Sequence, residues 1–149
     1  MEDRAVHDDT PLVARPDRPS DPVLVVEDDL AMRESLMALL DWDGYRTVGA
    51  ENGREALELL RRGGVRPCLI ILDLMMPVMD GWQFRTEQRG DPRLADIPVI
   101  VFSARLGVAN AVNNLKVAAA ITKPVDSGRL LDLIQHHCRP SAHDTAPAA

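Results

Sequence analysis

Side chains that can do chemistry stand directly after four short apolar runs of this sequence. They are Glu27, Asp28 and Asp29 after the first run, Asp73 after the second, Ser103 after the third and Lys123 after the fourth. Carboxylates that share a crevice repel one another, and each is costly to desolvate. A divalent cation such as Mg²⁺, which prefers oxygen ligands, and the ammonium group of a lysine would compensate that charge.

A carboxylate nucleophile, Mg²⁺, an ammonium group and a hydroxyl together describe a site for phosphoryl transfer to aspartate. Each residue alone also has an ordinary explanation. Asp29 or Ser103 could cap a helix, and Lys123 before Pro124 could be a surface charge in a turn. The joint placement of the set after four apolar runs favours the functional interpretation.

The rest of the sequence alternates between two periodicities. Short apolar runs such as Val23-Leu24-Val25-Val26 are typical of strands buried on both faces. Segments with apolar residues at helical spacing come after them, as at Met32, Leu36 and Leu40. We expect strands near 23–26, 45–50, 68–72, 99–102 and 118–122, and helices around 32–40, 56–60, 81–88, 108–117 and 130–134.

This alternation predicts an α/β fold, in which a five-stranded parallel sheet has helices on both faces. Right-handed crossovers bring the carboxyl ends of all strands to one edge of the sheet. Binding sites of such sheets lie in a crevice at that edge, where the strand order reverses. The four groups of polar residues should therefore meet there.

Composition and charge narrow the function classes. The chain has 149 residues and a net charge of −6, and nine acidic residues against three arginines stand at or before Asp29. The remaining residues hold 14 charges of each sign, which argues against a basic face for nucleic acid. No apolar run approaches the roughly 20 residues that span a bilayer. The N-terminus lacks the basic start and apolar centre of a signal peptide.

The ends of the chain differ in composition from its middle. Residues 1–21 are rich in Pro and Asp, and residues 139–149 are short and polar, so we expect two disordered tails around one domain at 22–138. Two cysteines, Cys68 and Cys138, are too few for a disulfide framework or a cysteine-based zinc site. These features favour a reduced, cytoplasmic setting.

Four motifs of the sequence resemble the receiver domain of two-component response regulators. They are Glu27-Asp28-Asp29 after the first apolar run, Asp73-Leu74-Met75-Met76-Pro77-Val78-Met79-Asp80-Gly81, Phe102-Ser103-Ala104 and Thr122-Lys123-Pro124. The resemblance covers residues 22–138 and implies the doubly wound, flavodoxin-like fold with strand order 2-1-3-4-5. It also implies that Asp73 accepts a phosphoryl group from a phosphohistidine on a histidine kinase or phosphotransfer protein.

The resemblance assigns roles to the surrounding residues as well. Asp28 would bind Mg²⁺ directly together with Asp73, Glu27 would reach it through water, and the backbone carbonyl of Met75 would complete the protein ligands. Ser103 and Lys123 would bind the phosphoryl group. A cis peptide bond before Pro124 would direct the lysine into the crevice.

The function implied is that of a stand-alone receiver, since only eleven residues follow Cys138. Such a protein catalyses only its own phosphorylation and dephosphorylation, and it signals through protein contacts or passes the phosphate on. One departure matters: Ala120 stands where receivers usually have a Tyr or Phe that reports phosphorylation.

Ala120 leaves open a phosphorylation-independent adaptor that uses the receiver fold as an interaction surface. An aspartate-dependent phosphatase is a weaker alternative, because those enzymes have a second Asp two residues after the nucleophile, where this chain has Met75. A nucleotide-binding site has no support, since no glycine-rich loop follows a strand.

Overall fold

The computed structural model describes residues 21–104, 115–124 and 126–138. Strands and helices alternate along most of this part of the chain. The elements are β1 (Val23–Val26), α1 (Leu30–Trp42), β2 (Thr47–Ala50), α2 (Gly53–Arg61), β3 (Leu69–Asp73), α3 (Gly81–Arg89), β4 (Val99–Ser103), β5 (Ala119–Thr122) and α4 (Ser127–His137).

The strands form one parallel sheet in the order β2-β1-β3-β4-β5. This confirms the strand order and the parallel sheet predicted from the sequence. The predicted helix at 108–117 lies mostly outside the described residues, as do the two predicted tails apart from Asp21.

Two layers of apolar side chains cover the sheet, one on each face. Leu24 and Val26 of β1 point into a cluster with α2 and α3, whereas Val23 and Val25 point into a cluster with α1 and α4. All four residues of β1 are fully buried. Burying a side chain of this size contributes roughly 1.5–3 kcal/mol, which explains why an uninterrupted apolar run becomes a central strand.

Each described helix begins at a polar residue that caps its free amide groups. Asp29 accepts a hydrogen bond from the amide of Met32 at 3.0 Å, so Asp29 caps α1. Asn52 caps α2, and Asp126 caps α4. Asp80 caps α3 in a reciprocal box with Gln83. The caps fix where each helix leaves the carboxyl edge of the sheet.

A disulfide bond joins Cys68, just before β3, to Cys138 at the end of α4. The two Cα atoms are 5.2 Å apart although 70 residues separate them in sequence. Two cysteines are too few for a framework of several bridges, and this single bridge was not predicted from the sequence. The bond links the start of β3 to the end of α4.

Candidate functional site

The predicted reactive residues meet at the carboxyl edge of the sheet. Asp73 is the last residue of β3 and pairs in register with Phe102, while Ser103 ends β4 and pairs with Thr122. Glu27 and Asp28 directly follow β1, and Lys123 directly follows β5. Four separate segments thus converge as the polar pattern predicts.

The carboxylates of Glu27, Asp28 and Asp73 form a compact cluster. One oxygen from each side chain lies within 4.8 Å of the others. Glu27 and Asp73 are buried, at 1% and 3% exposure, and Asp28 is exposed. Oxygen ligands at this spacing, one of them open to solvent, fit a hard divalent cation.

The charge of this cluster perturbs Asp28. Partial loss of water around its carboxyl group, the hydrogen bond with Glu27 and the negative charge of Glu27 together raise the pKa of Asp28. A bound cation would relieve this repulsion.

Lys123 reaches into the same cluster. Its Nζ lies 2.9 Å from Glu27 Oε1, 3.6 Å from Asp73 Oδ2 and 4.7 Å from the centre of the Phe102 ring. The peptide bond between Lys123 and Pro124 is cis, as predicted. Burial works against the charged amine, but the hydrogen bond to Glu27 and the charges of Asp73 and Glu27 outweigh it and raise the pKa of Lys123.

Glu27 is held on three sides. Its Oε1 accepts a hydrogen bond from Lys123, and its Oε2 accepts one from the amide of Asp29 at 3.0 Å. Its carbonyl oxygen accepts a third from Arg33 at 2.7 Å. The resemblance implied that Lys123 binds a phosphoryl group, and its pairing with Glu27 was not predicted from the sequence.

Asp73 is positioned by the loop that comes after it. Its Oδ1 accepts a hydrogen bond from the amide of Met75 at 3.2 Å. The amide of Gly81 donates to the carbonyl of Leu74 at 3.0 Å, which closes the loop at the start of α3. A Cβ at Gly81 would lie 2.6 Å from the carbonyl oxygen of Asp73, so this close approach requires glycine.

Ser103 is buried at 1% exposure beside Lys123. Its carbonyl oxygen accepts a hydrogen bond from the amide of Lys123 at 2.7 Å. The hydroxyl and the ammonium group therefore come from neighbouring strand ends that are bonded to each other. The carbonyl of Met75 as a metal ligand stays a prediction.

Two buried polar residues on α3, Arg85 and Gln88, were not predicted from the sequence. They lie on the same face as Gly81 and Phe84, because positions 81, 84, 85 and 88 repeat at helical spacing. That spacing was available as a signal, since it marks the inward face of α3 and places two polar residues on it. Trp82, the second residue of α3, is 39% exposed.

In the part of the chain that the structure describes, every helix is too short or too polar to cross a membrane.

Comparison with sequence families and curated proteins adds independent support. The sequence profile of the response regulator receiver domain matches residues 23–135. The response regulator MprA of Mycobacterium sp. (strain KMS) is 36% identical over 129 residues, which are 84% of this chain and 54% of that protein. MprA of Mycolicibacterium vanbaalenii is 41% identical over 99 residues, 65% of this chain and 40% of that protein. The chain thus spans about half the length of the curated relatives it matches.

Solved structures show the same fold. A response regulator receiver protein from Pseudomonas putida superposes with a TM-score of 0.71 at 36% identity, covering 80% of this chain and 97% of that one. The chemotaxis protein CheY4 of Vibrio cholerae gives a TM-score of 0.71 at 26% identity, covering 78% and 98%. Together with the carboxylate cluster and its lysine, these matches show that the chain belongs to the receiver domain family of two-component response regulators.

Proposed function

We propose that Asp73 accepts a phosphoryl group from the phosphohistidine of a histidine kinase or phosphotransfer protein in a Mg²⁺-dependent reaction. The observation that supports this most directly is the position of Lys123 Nζ, 3.6 Å from Asp73 Oδ2 beside the carboxylates of Glu27 and Asp28. A buried nucleophile with an adjacent amine and a cation site has the parts that phosphoryl transfer needs.

The two carboxylate oxygens of Asp73 have different contacts. Oδ1 is engaged by the amide of Met75, whereas Oδ2 faces Lys123. A carboxylate oxygen attacks the phosphorus and forms the new O–P bond as the P–N bond to the donor imidazole breaks. The imidazole leaves with the electron pair of the broken bond. Asp73 must be ionised to act as the nucleophile in this step.

The clustered oxygens of Glu27, Asp28 and Asp73 fit Mg²⁺. The backbone carbonyl of Met75 would be a further ligand. When bound, the ion would neutralise the charge of the incoming phosphoryl group. Asp28 is the solvent-exposed member of the cluster and would hold the ion directly. Glu27 is already bonded to Lys123 and Asp29, which supports an indirect role through water.

After transfer, the phosphoryl oxygens offer new acceptors beside Asp73. Lys123 can exchange its contact with Glu27 for one of these oxygens, and the hydroxyl of Ser103 can bind another. This exchange couples the chemistry to the loops that come after β4 and β5. Such a charge change at a buried cluster is how a small modification biases a protein between two conformations.

The protein, in this proposal, turns over no separate substrate and acts in the cytoplasm as a signalling receiver. It works through contacts with other proteins, as a stand-alone receiver or a carrier in a relay, and has no role for nucleic acid or membrane. The support is the cluster of Glu27, Asp28 and Asp73 beside Lys123, together with the absence of a basic excess in the sequence.

Ala120 favours a second candidate, a receiver-fold adaptor whose contacts do not depend on phosphate. It lies on β5 opposite Val101, and a methyl group there cannot act as the usual aromatic reporter. Hydrogen exchange with and without a phosphodonor separates the two. For an adaptor, the phosphodonor should leave the exchange rates of backbone amides outside the crevice unchanged. For the phosphorylation-dependent function, the amides in the strands and loops around the crevice should exchange more slowly.

The test of the leading proposal is intact mass after incubation with acetyl phosphate and Mg²⁺. We expect a gain of one phosphoryl group in the wild type, and no gain in Asp73→Asn or in the presence of EDTA. Asp80→Asn is the matched control, because Asp80 is a nearby carboxylate that caps α3 outside the crevice. A gain that persists in Asp73→Asn would reject the assignment.

A further inference from the structure

Strand β5, which leads to Lys123, has few buried side chains and only one neighbouring strand. It is an edge strand that pairs with β4 alone, and its residues are Ala119, Ala120, Ile121 and Thr122. Only Ile121 among them is buried. Strands with small, poorly buried side chains specify their register weakly, so something outside β5 must fix where it lies.

Arg85 of α3 binds the main chain just before this strand. Its Nε donates to the carbonyl of Leu115 at 2.9 Å, and its Nη2 donates to the carbonyl of Lys116 at 2.7 Å. Lys116 has a left-handed backbone with φ of 55°, so the chain turns sharply at this point before it enters β5. Two consecutive carbonyls are thus held by one planar guanidinium group.

Gln88, one turn further along α3, fixes the orientation of that guanidinium. Its Oε1 accepts a hydrogen bond from Arg85 Nη1 at 2.8 Å. Its Nε2 donates to the carbonyls of Leu94 at 2.9 Å and Ile97 at 3.0 Å, which precede β4. The same pair of side chains therefore binds the entries to both β4 and β5.

The surroundings of Arg85 indicate a specific role rather than a surface charge. The residue is only 7% exposed, and desolvation, followed by the charge of Arg89, lowers the pKa of Arg85. Within residues 21–104, 115–124 and 126–138 the structure records no ion pair for it. A buried arginine whose hydrogen-bond partners are neutral oxygens contributes the fixed geometry of its planar guanidinium group, which holds several acceptors at once.

We propose that Arg85 is a positioning residue: by holding the carbonyls of Leu115 and Lys116, it sets where β5 lies along β4 and hence where Lys123 sits relative to Asp73. The effect of Arg85 on the rate of phosphorylation rests on the proposed function, whereas its effect on the position of β5 does not. Helix α3 also connects Arg85 to Asp73, because the helix starts at the end of the loop after Asp73.

The first test measures positioning without any phosphodonor. The amides of Ala118 and Lys123 mark the two ends of β5, since they donate to Val99 and Ser103 at 2.8 and 2.7 Å. In Arg85→Met we expect both amides to exchange at least about tenfold faster, because the strand entry loses its donors. Arg89→Met removes an exposed guanidinium one turn away and should leave both rates unchanged.

Arg85→Lys keeps the positive charge but has a single donor nitrogen in place of the planar fork, so it should give an intermediate exchange rate. It also serves as the test variant if Arg85→Met does not fold. Exchange at Ala118 and Lys123 that matches the wild type in a folded Arg85 variant would overturn the proposal.

The second test is a double-mutant cycle on the rate of phosphorylation by acetyl phosphate. Arg85→Lys should slow the reaction about tenfold when Lys123 is present, and by less than about twofold when Lys123 has been replaced by methionine. Equal losses in both backgrounds would show that Arg85 acts only on overall structure, against the proposal. If the wild type is not phosphorylated at all, the proposed function fails, and the exchange measurement still decides the positioning role.

Discussion

At the scale of single residues, the contacts of Lys123 balance the charge of the crevice. The side chain is 18% exposed, and the side chain of its partner Glu27 is 1% exposed, so water does little to screen the pair. An ion pair in such a place stabilises the fold less than its geometry suggests, because both groups are desolvated. Removing one partner is nevertheless costly, since the other stays buried and charged.

Lys123→Met should lower the free energy of unfolding by about 2 kcal/mol at pH 7, because Glu27 loses its cationic partner. Chemical denaturation measures this, with Lys116→Met as the control, since Lys116 is exposed. Equal stability of the two variants at pH 7 would contradict the role given to this amine.

The same pair predicts a dependence on alkaline pH. Folding raises the pKa of Lys123 above its ordinary value of 10.5, so its stabilising contribution is fully present below pH 10.5. The contribution is lost as the pH rises through the raised pKa. The stability difference between wild type and Lys123→Met should therefore shrink above pH 10.5, as measured by urea unfolding at a series of pH values. A difference that grows with pH would contradict this assignment.

Asp28→Asn should stabilise the metal-free protein, by no more than about 1 kcal/mol because the group is exposed and screened. The substitution removes a carboxylate whose pKa is raised by desolvation, by its hydrogen bond with Glu27 and by the charge of Glu27. It should also weaken Mg²⁺ binding by at least about tenfold, measured by calorimetric titration, because a direct carboxylate ligand is lost. Asp43→Asn, at the end of α1, is the control. Unchanged Mg²⁺ affinity in Asp28→Asn would remove Asp28 from the ligand set.

At the scale of elements, helix α3 joins the loop after Asp73 to the rest of the sheet. It begins at Gly81, in contact with the backbone of Asp73 and Leu74, and Arg85 and Gln88 bind the segments before β4 and β5. The helix depends on these contacts because Phe84 is the only large apolar side chain that it buries fully. Its position is thus determined by backbone approach and hydrogen bonds as much as by packing.

Gly81→Ala should destabilise the protein by about 2 kcal/mol, because the new methyl group would meet backbone atoms of Asp73 and Leu74 that cannot move independently. Thermal unfolding measures this. Gly64→Ala is the matched control, because nothing lies within 4 Å of a Cβ at that position. Similar melting temperatures for the two variants would contradict the close packing at Gly81.

The sequence predicted the strands and the gathering of reactive residues because both depend on local pattern, whereas the strand order was implied by the resemblance to receiver domains. An uninterrupted apolar run such as that of β1 predicts a strand buried on both faces. Parallel strands then bring the residues after their carboxyl ends to one edge of the sheet. Arg85 and Gln88 escaped prediction because polar residues on an inward face violate the pattern, and their partners are main-chain carbonyls. The pairing of Glu27 with Lys123 spans 96 residues and needs coordinates to be seen.

At the scale of the whole molecule, two apolar layers and one covalent link hold the sheet and its helices together. The disulfide joins Cys68, at the amino end of β3, to Cys138, at the carboxyl end of α4. The other end of each element lies near the site, since β3 ends at Asp73 and α4 begins shortly after Lys123. The pairing escaped the sequence analysis because no spacing rule connects cysteines this far apart.

Cys138→Ser should lower the free energy of unfolding of the oxidised protein by up to roughly 4 kcal/mol, because the cross-link restricts a long stretch of the unfolded chain. Urea unfolding measures this, and wild type treated with a thiol reductant should resemble the variant. In a reducing compartment the two residues would be thiols. Identical denaturation midpoints for oxidised and reduced wild type would show that the link contributes nothing.

The measurement that tests the central claim most directly is chemical mapping of the modified residue. After incubation with acetyl phosphate and Mg²⁺, reduction with borohydride converts an aspartyl phosphate to homoserine, which peptide mass spectrometry locates. The account predicts homoserine at position 73 alone, and none when Mg²⁺ is removed. Homoserine at Asp28 or any other aspartate, with Asp73 intact, would contradict it.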